Sequence, residues 1–278
     1  MNEFAGIFFL NNGKIESIED FDKYCQNIKF EVYEVIRIIK GVPLFYEDHF
    51  ARMTRSLKLL TNHFNINISE FEVQLKLLAE KNNILNGNVK ISIGERTQNI
   101  VLHFIPHHYP TEDEYLHGIK TGLYNAERIN PNVKAHLVEL RKNVNKYLND
   151  TGLFEVFYVN RNNEITEGSR SNVFFIRDGK VYTCVPDKVL LGITRQKVID
   201  CMKKTGIPII ETNILKDEIS SFDSVFLTGT SPKILPVASI DNLDFSNVKV
   251  LGLTAGASTP DWLFDEVVAR AKEIAQKW

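Results

Sequence analysis

The sequence predicts an α+β protein built as two domains, and three observations carry that prediction. Strand-like and helix-like periodicities mix in both halves without the strict strand–helix–strand alternation of a parallel α/β fold. The stretch from Pro106 to about Pro131 holds three prolines and little helical period. The 278 residues are enough for two domains. The expected division is a smaller N-terminal α+β domain at 1–122, a connecting loop at 123–130 and a larger C-terminal domain at 131–278.

The elements follow in order. Residues 4–10 and 30–40 are rich in Phe, Ile and Val and read as strands. Gly41-Val42-Pro43 reads as a turn between Ile36–Ile39 and Leu44-Phe45. From Tyr46 to Leu60 the spacing becomes helical, with Phe50, Met53, Leu57 and Leu60 on one face. Phe71 to Leu78 continues as a second amphipathic helix. Val89–Ile93 and Ile100–Ile105 read as a strand pair, which Pro106-His107-His108-Tyr109-Pro110 ends. The second half is expected to open with a helix from Val138 to Leu148 and a strand at Phe154–Val159. Thr194 to Lys204 reads as a helix with Val198, Ile199 and Met202 apolar, Val225–Leu227 as a short strand, and Leu263 to Gln276 as a terminal helix. Thr259 as N-cap, Pro260 and then Asp261 suit a helix start just before it.

Composition excludes several function classes. Hydrophobic content of 44% and charged content of 24% are ordinary for a globular chain. A net charge of -2 gives no general attraction to nucleic acid or anionic membrane. The apolar runs fall far short of a membrane span, and Met1-Asn2-Glu3-Phe4 lacks the basic start of a signal peptide. Cys25, Cys184 and Cys201 are scattered without a CxxC pair, so neither a disulfide framework nor a metal cluster is expected and a cytoplasmic setting fits.

Chemistry concentrates at Glu164 to Asn172, which reads E-I-T-E-G-S-R-S-N. A strand at Val173–Ile176 and a turn at Asp178-Gly179 follow it. The stretch gathers a carboxylate (Glu167), a glycine (Gly168), two hydroxyls (Ser169, Ser171) and an amide (Asn172). Glycine lets backbone approach a ligand closely, and a neighbouring carboxylate can pair with a cationic ring nitrogen. Leu191-Gly192-Ile193-Thr194-Arg195 stands at the start of a helix, whose free N–H groups suit a phosphate. Leu227-Thr228-Gly229-Thr230-Ser231 follows a strand in the same way.

These segments resemble the class IV pyridoxal-phosphate (PLP) aminotransferases, a family that includes branched-chain and D-amino-acid aminotransferases and aminodeoxychorismate lyase. The likeness extends upstream, to the strand Tyr33-Glu34-Val35-Ile36-Arg37 and to Tyr46–Met53, which resembles the family's H-x-x-R-L segment. It runs from about Tyr33 to Asp241 in the family's order. It implies a two-domain fold with the active site between the domains, PLP as cofactor, amino-acid and keto-acid substrates, and a homodimer.

Residue by residue, the resemblance implies Lys134 as the Schiff-base lysine and proton carrier, and Glu167 as the acid facing the ring nitrogen. It implies Arg52, Ser169, Asn172, Ile193, Thr194 and Thr230 as cofactor-binding, and Tyr33, Arg37, Arg96, Gly229 and Ser231 as substrate-binding. His49 reads as structural. The segment after the lysine, Ala135 to Glu139, lacks the family's Asn- and Tyr-containing pattern, with His136 and Tyr147 as the available stand-ins. The segment Leu253 to Trp262 is also atypical. The implied activity is transfer of an amino group between an amino acid, branched-chain-like or D, and a 2-keto acid. The alternatives are a lyase releasing pyruvate and 4-aminobenzoate, and an inactive binding protein of the same fold.

Overall fold

A computed structural model of the chain describes residues 4–26, 28, 32–60, 68–94, 99–128, 131–134 and 138–246. Arg96, His136, the atypical 253–262 segment and the expected helix at 263–276 lie outside the described residues. The chain forms two compact units, Met1–His108 with Val133–His136, and Tyr109–Asn132 with Leu137–Trp278.

The first unit is a six-stranded sheet backed by helices. Its strands are β1 (Phe8–Asn11), β2 (Lys14–Ser17), β3 (Val32–Ile39), β4 (Val42–Pro43), β5 (Gly87–Ile93) and β6 (Ile100–Ile105), in the order β2-β1-β6-β5-β3-β4. Every pairing is antiparallel. Alternation along β3 sends Val32, Ile36 and Ile38 to one face, where they bury against Met53 and Leu57 of α2 (Tyr46–Leu60) and Phe71, Leu75 and Leu78 of α3 (Ile68–Asn82). The helical spacing predicted Met53 and Leu57 correctly, because positions four apart share a face. A short helix, Phe21–Cys25, packs Phe21 against Phe9 on the sheet's other face. The hairpin turn differs from expectation. It is Lys40-Gly41, with φ of 49° and 78°, and Val42-Pro43 already pairs with Ile38-Ile39. Two consecutive residues at positive φ match the right-handed twist of the strands.

The second unit is built on a mixed ten-stranded sheet. Its strands are β7 (Ile119–Asn125), β8 (Glu155–Val159), β9 (Glu164–Gly168), β10 (Asn172–Arg177), β11 (Lys180–Thr183), β12 (Ile209–Glu211), β13 (Ile214–Leu215), β14 (Ser224–Gly229), β15 (Lys233–Ile240) and β16 (Leu243–Asp244). Their order is β12-β11-β10-β14-β15-β7-β8-β9-β13, with β16 on β15. Val173, Phe175, Val225 and Leu227 face one core; Phe174 and Phe226 stack with ring centroids 4.9 Å apart on the other, beneath Val198 and Ile199 of the helix Ile193–Thr205. The helix Val138–Thr151 covers β8 through Val144 and Leu148. Asp178-Gly179 is a two-residue turn at positive φ between Arg177 and Lys180, as predicted.

The two units divide differently from the expected 1–122 and 131–278. Residues 123–125 are strand rather than loop, because β7 pairs in parallel with both β8 and β15. Tyr109 opens the second unit, and a helix at Glu112–His117, started by a Thr111–Glu114 capping box, precedes β7. Lys134, expected with the C-terminal half, belongs with the first unit instead. Its carbonyl accepts from Tyr33 N–H at 3.1 Å and its own N–H donates to Ser56 Oγ at 3.3 Å.

Candidate active site

In the first unit, the end of β3 brings Tyr33 and Lys134 together. The Lys134 ammonium lies 4.9 Å from the Tyr33 ring centroid, within cation–π range. Lys90 of β5 reaches the same ring at 5.8 Å. Arg37 lies two pleats further along, half-buried and on the same strand face as Tyr33.

The opposite face of β3 carries Glu34, fully buried among Val32, Ile36 and Ile38. An isolated carboxylate there would be costly, and α2 answers it. His49 and Arg52 are three residues apart and so share a helix face. Glu34 Oε1 accepts from Arg52 Nε at 2.8 Å, Oε2 accepts from Arg52 Nη2 at 2.7 Å, and His49 Nδ1 lies 2.8 Å from Oε2. Burial alone would push the Glu34 carboxyl up; the Arg52 charge and the two partners' hydrogen bonds outweigh it and hold it well below the usual range. Burial pushes the His49 imidazole down, against the pull of Glu34. His49 is structural, as expected, and Arg52 is anchored on its Glu34 side.

In the second unit, the signature stretch is β9, a turn and the start of β10. Glu167 is 3% exposed. Its Oε2 accepts from Leu190 N–H at 3.0 Å, and its Oε1 lies 3.3 Å from Arg128 Nε. The turn is organised by Glu155 of β8. That carboxylate accepts from Val156 N–H at 3.0 Å, Ser169 N–H at 3.1 Å, Ser169 Oγ at 2.5 Å, Arg170 N–H at 3.1 Å and Ser171 Oγ at 2.9 Å. The Ser169 hydroxyl therefore donates its proton to Glu155. A Cβ at Gly168 would collide with Ser171 Oγ, which explains glycine there.

The helix Ile193–Thr205 has Gly192 as N-cap with no side-chain cap and no acidic residue in its first turn. Thr194 is thus the second helical residue. Asn172 donates through Nδ2 to Leu190 O at 2.9 Å, and its Oδ1 abuts the face of Gly192 where a Cβ would stand. Across the strand pair from Asn172 is Thr228, whose buried Oγ1 has no hydrogen-bond partner among the described residues. Gly229 closes β14, and Thr230 and Ser231 form the half-buried turn after it. Arg195 is buried, with Nη2 donating to Cys184 O at 2.9 Å and Glu211 Oε1 at 2.6 Å. An uncapped helix N-terminus beside a buried unsatisfied hydroxyl suits a phosphate, and a buried carboxylate suits a cationic ring nitrogen. On these observations the residues fit a phosphorylated pyridine cofactor.

Sequence reasoning missed Glu34, Arg128 and Glu155. A lone carboxylate in the apolar alternation of β3 was the available signal for Glu34. No local pattern marks Arg128 or Glu155, whose roles arise from pairing across strands. Tyr147, the suggested stand-in, packs its ring against Tyr124 at 5.4 Å in the core under Val138–Thr151. Among the described residues no group of His, Cys, Asp and Glu could hold a metal ion, and no helix is long and apolar enough to cross a membrane.

Comparison with known proteins gives a consistent family. Residues 31–240 match the model of the family described as amino-transferase class IV. A D-alanine aminotransferase of Listeria monocytogenes serotype 1/2a (strain 10403S) is 30% identical over 249 residues, covering 81% of this chain and 83% of that one. The crystal structure of the Escherichia coli branched-chain amino acid aminotransferase aligns with a TM-score of 0.74 at 22% identity, covering 87% of this chain and 89% of that one. The branched-chain amino acid aminotransferase of Thermobaculum terrenum, crystallised in its PLP form, aligns with a TM-score of 0.72 at 21% identity, covering 95% of this chain and 94% of that one.

Proposed function

Because the chain belongs to the class IV aminotransferase family, we propose that it moves an amino group between an amino acid and a 2-keto acid, and that Lys134 and Glu167 carry this transfer on pyridoxal 5′-phosphate. The observation that carries the reading is Glu167, a buried carboxylate fixed by Leu190 N–H and Arg128. The uncapped N-terminus at Gly192 adds to it.

When bound, the cofactor supplies an electron sink for the bond-breaking at the substrate α-carbon. Glu167 holds a proton at the ring nitrogen, and the rigid strand behind it keeps that carboxylate in place. Lys134 would hold the cofactor through its side-chain amine, and that amine, when free, would take and return the proton at the substrate α-carbon. Tyr33 holds the lysine's ammonium end through its ring. Gly192, Ile193, Thr194 and Thr230 offer N–H and O–H donors to the phosphate, with Arg52 adding charge-assisted bonds. Asn172 shapes the loop beneath. Ser169, committed to Glu155, acts through the loop it fixes. Gly229, Ser231, Arg37 and Arg96 are the proposed substrate contacts, Arg96 lying outside the described residues.

The Listeria relative acts on D-alanine by name, which supports a D-amino donor over a branched-chain one. The family resemblance supports a homodimer, and the three unpaired cysteines support a cytoplasmic setting. The test is an absorbance titration of the protein with PLP, followed by a panel of D- and L-amino acids, with Lys134→Ala in parallel. After gel filtration removes unbound PLP, the wild-type protein is expected to stay yellow and to bleach with D-alanine, while Lys134→Ala elutes without the lysine-bound colour. Colour that no amino acid bleaches would favour the lyase, and no colour at all would sink the enzyme reading.

A further inference from the structure

The two side chains that flank the signature turn, Glu167 and Asn172, close on the same residue. Leu190 N–H donates to Glu167 Oε2 at 3.0 Å, and Leu190 C=O accepts from Asn172 Nδ2 at 2.9 Å. The same carbonyl accepts from Gly192 N–H at 2.8 Å, which closes a three-residue turn onto the start of the helix Ile193–Thr205. All three residues are buried. Leu190 is thus held at its N–H and at its C=O, which fixes its backbone rotation on both sides of the Cα.

The Gly192 bond lies within the turn, so by itself it leaves the turn free to pivot as a body. Asn172 belongs to the sheet, where it pairs with Thr228 across β10 and β14. Its amide ties the turn to a rigid strand. β9 is shaped to bring Glu167 to the same point. Thr166 and Glu167 together oppose the single residue Tyr158, because the register shifts between Phe157 and Val159. Such a bulge re-aims a side chain. Every group in this chain of contacts belongs to the second unit.

We propose that Asn172 is a positioning residue for Glu167: by holding the Leu190 carbonyl to the sheet, it aims the Leu190 N–H at Glu167 Oε2 and keeps that carboxylate in one orientation. This rests on the reading of Glu167 as the acid facing the ring nitrogen. Asn172 acts through Leu190 and not by touching the cofactor.

Asn172→Ala tests this twice. The first measurement needs no cofactor. Hydrogen exchange of the Leu190 amide is read by NMR on leucine-labelled protein, with the signal assigned by its absence in Leu190→Met. In Asn172→Ala it should speed up at least about 10-fold, while Leu227 and Leu235 in the neighbouring strands stay within about 3-fold. The Leu190 carbonyl keeps its Gly192 bond, so the substitution orphans no acceptor there. Asn172→Ser, which keeps a donor of shorter reach, should fall between the two proteins and carries the test if Asn172→Ala does not fold. The second measurement is the half-reaction of the PLP-loaded protein with the amino acid that bleaches it. Asn172→Ala should slow the maximal rate about 10- to 100-fold, the cost of a displacement of about 1 Å, and leave the apparent Kd for the amino acid within about 3-fold. In a Glu167→Gln background the same change should add less than about 2-fold, since the two act as one unit. An unchanged Leu190 amide, or an equal kinetic loss in both backgrounds, overturns the proposal. Failure of the underlying reading looks different: the Leu190 amide responds to Asn172→Ala, yet Glu167→Gln reacts as fast as wild type or no amino acid reacts at all.

Discussion

Replacing Glu155 with glutamine should destabilise the protein and loosen the signature turn, although Glu155 lies outside every motif. In the native structure its Oε1 accepts from Val156 N–H, Ser169 N–H and Ser169 Oγ, and its Oε2 from Arg170 N–H and Ser171 Oγ. A glutamine keeps one acceptor oxygen and places an NH₂ where the other stood. If the oxygen stays at the three-donor side, the Arg170 N–H meets another donor, while Ser171 can rotate its hydroxyl to accept. One bond to a charged acceptor is lost, and a part-buried donor is left facing a donor. Hydrogen bonds to charged groups contribute about 1.5–3 kcal/mol, and an unsatisfied donor costs about 1–3 kcal/mol. Allowing for overlap between the two, the expected loss is about 2–4 kcal/mol. Urea unfolding of Glu155→Gln and wild type measures it as a shift in midpoint at constant slope. A loss below about 0.5 kcal/mol, the range of an ordinary surface substitution, would refute the view that Glu155 organises the turn.

Three further outcomes follow from the same structure. Glu167→Gln should retain the yellow lysine-bound cofactor and lose about 10²- to 10³-fold in kcat, the scale for removing one preorganised electrostatic group; stopped-flow half-reactions with D-alanine read it directly. Gly192→Ala forces a methyl into Asn172 Oδ1 at a backbone φ of -61° that alanine tolerates, so the effect is steric, about 1–3 kcal/mol in stability, with weaker PLP binding by titration; unchanged affinity would show that the helix start does not meet the phosphate. Stability should also fall in acid. Glu34 is held below its ordinary value, so its contribution is complete above about pH 4.3 and is lost as pH falls from there toward its depressed folded value. His49 is lowered as well, so its contribution begins to fall below about pH 6.5; urea midpoints from pH 7 to 3 should lose the first phase in His49→Asn and the second in Glu34→Gln.

What the sequence determined by itself was whatever its local pattern encodes. Met53 and Leu57 reached the core because helical spacing put them on one face, and Asp178-Gly179 made the turn because those residues accept positive φ. The order of motifs from Tyr33 to Asp241 named the family. β7 was hidden because Ile119–Asn125 alternates weakly and becomes a strand by pairing with β8 and β15, which are distant in sequence. The helix at Glu112–His117 is short, and its start signal, the Thr111–Glu114 capping box, stands directly after Pro110. Only the tertiary structure decided that Lys134 packs with the N-terminal unit, that Arg52 is clamped by Glu34, and that Glu155 ties down the turn at 169–171. Each of these depends on a buried polar group finding a partner contributed by another segment of the chain. Burial makes such a pairing obligatory, and the path of the backbone chooses the partner.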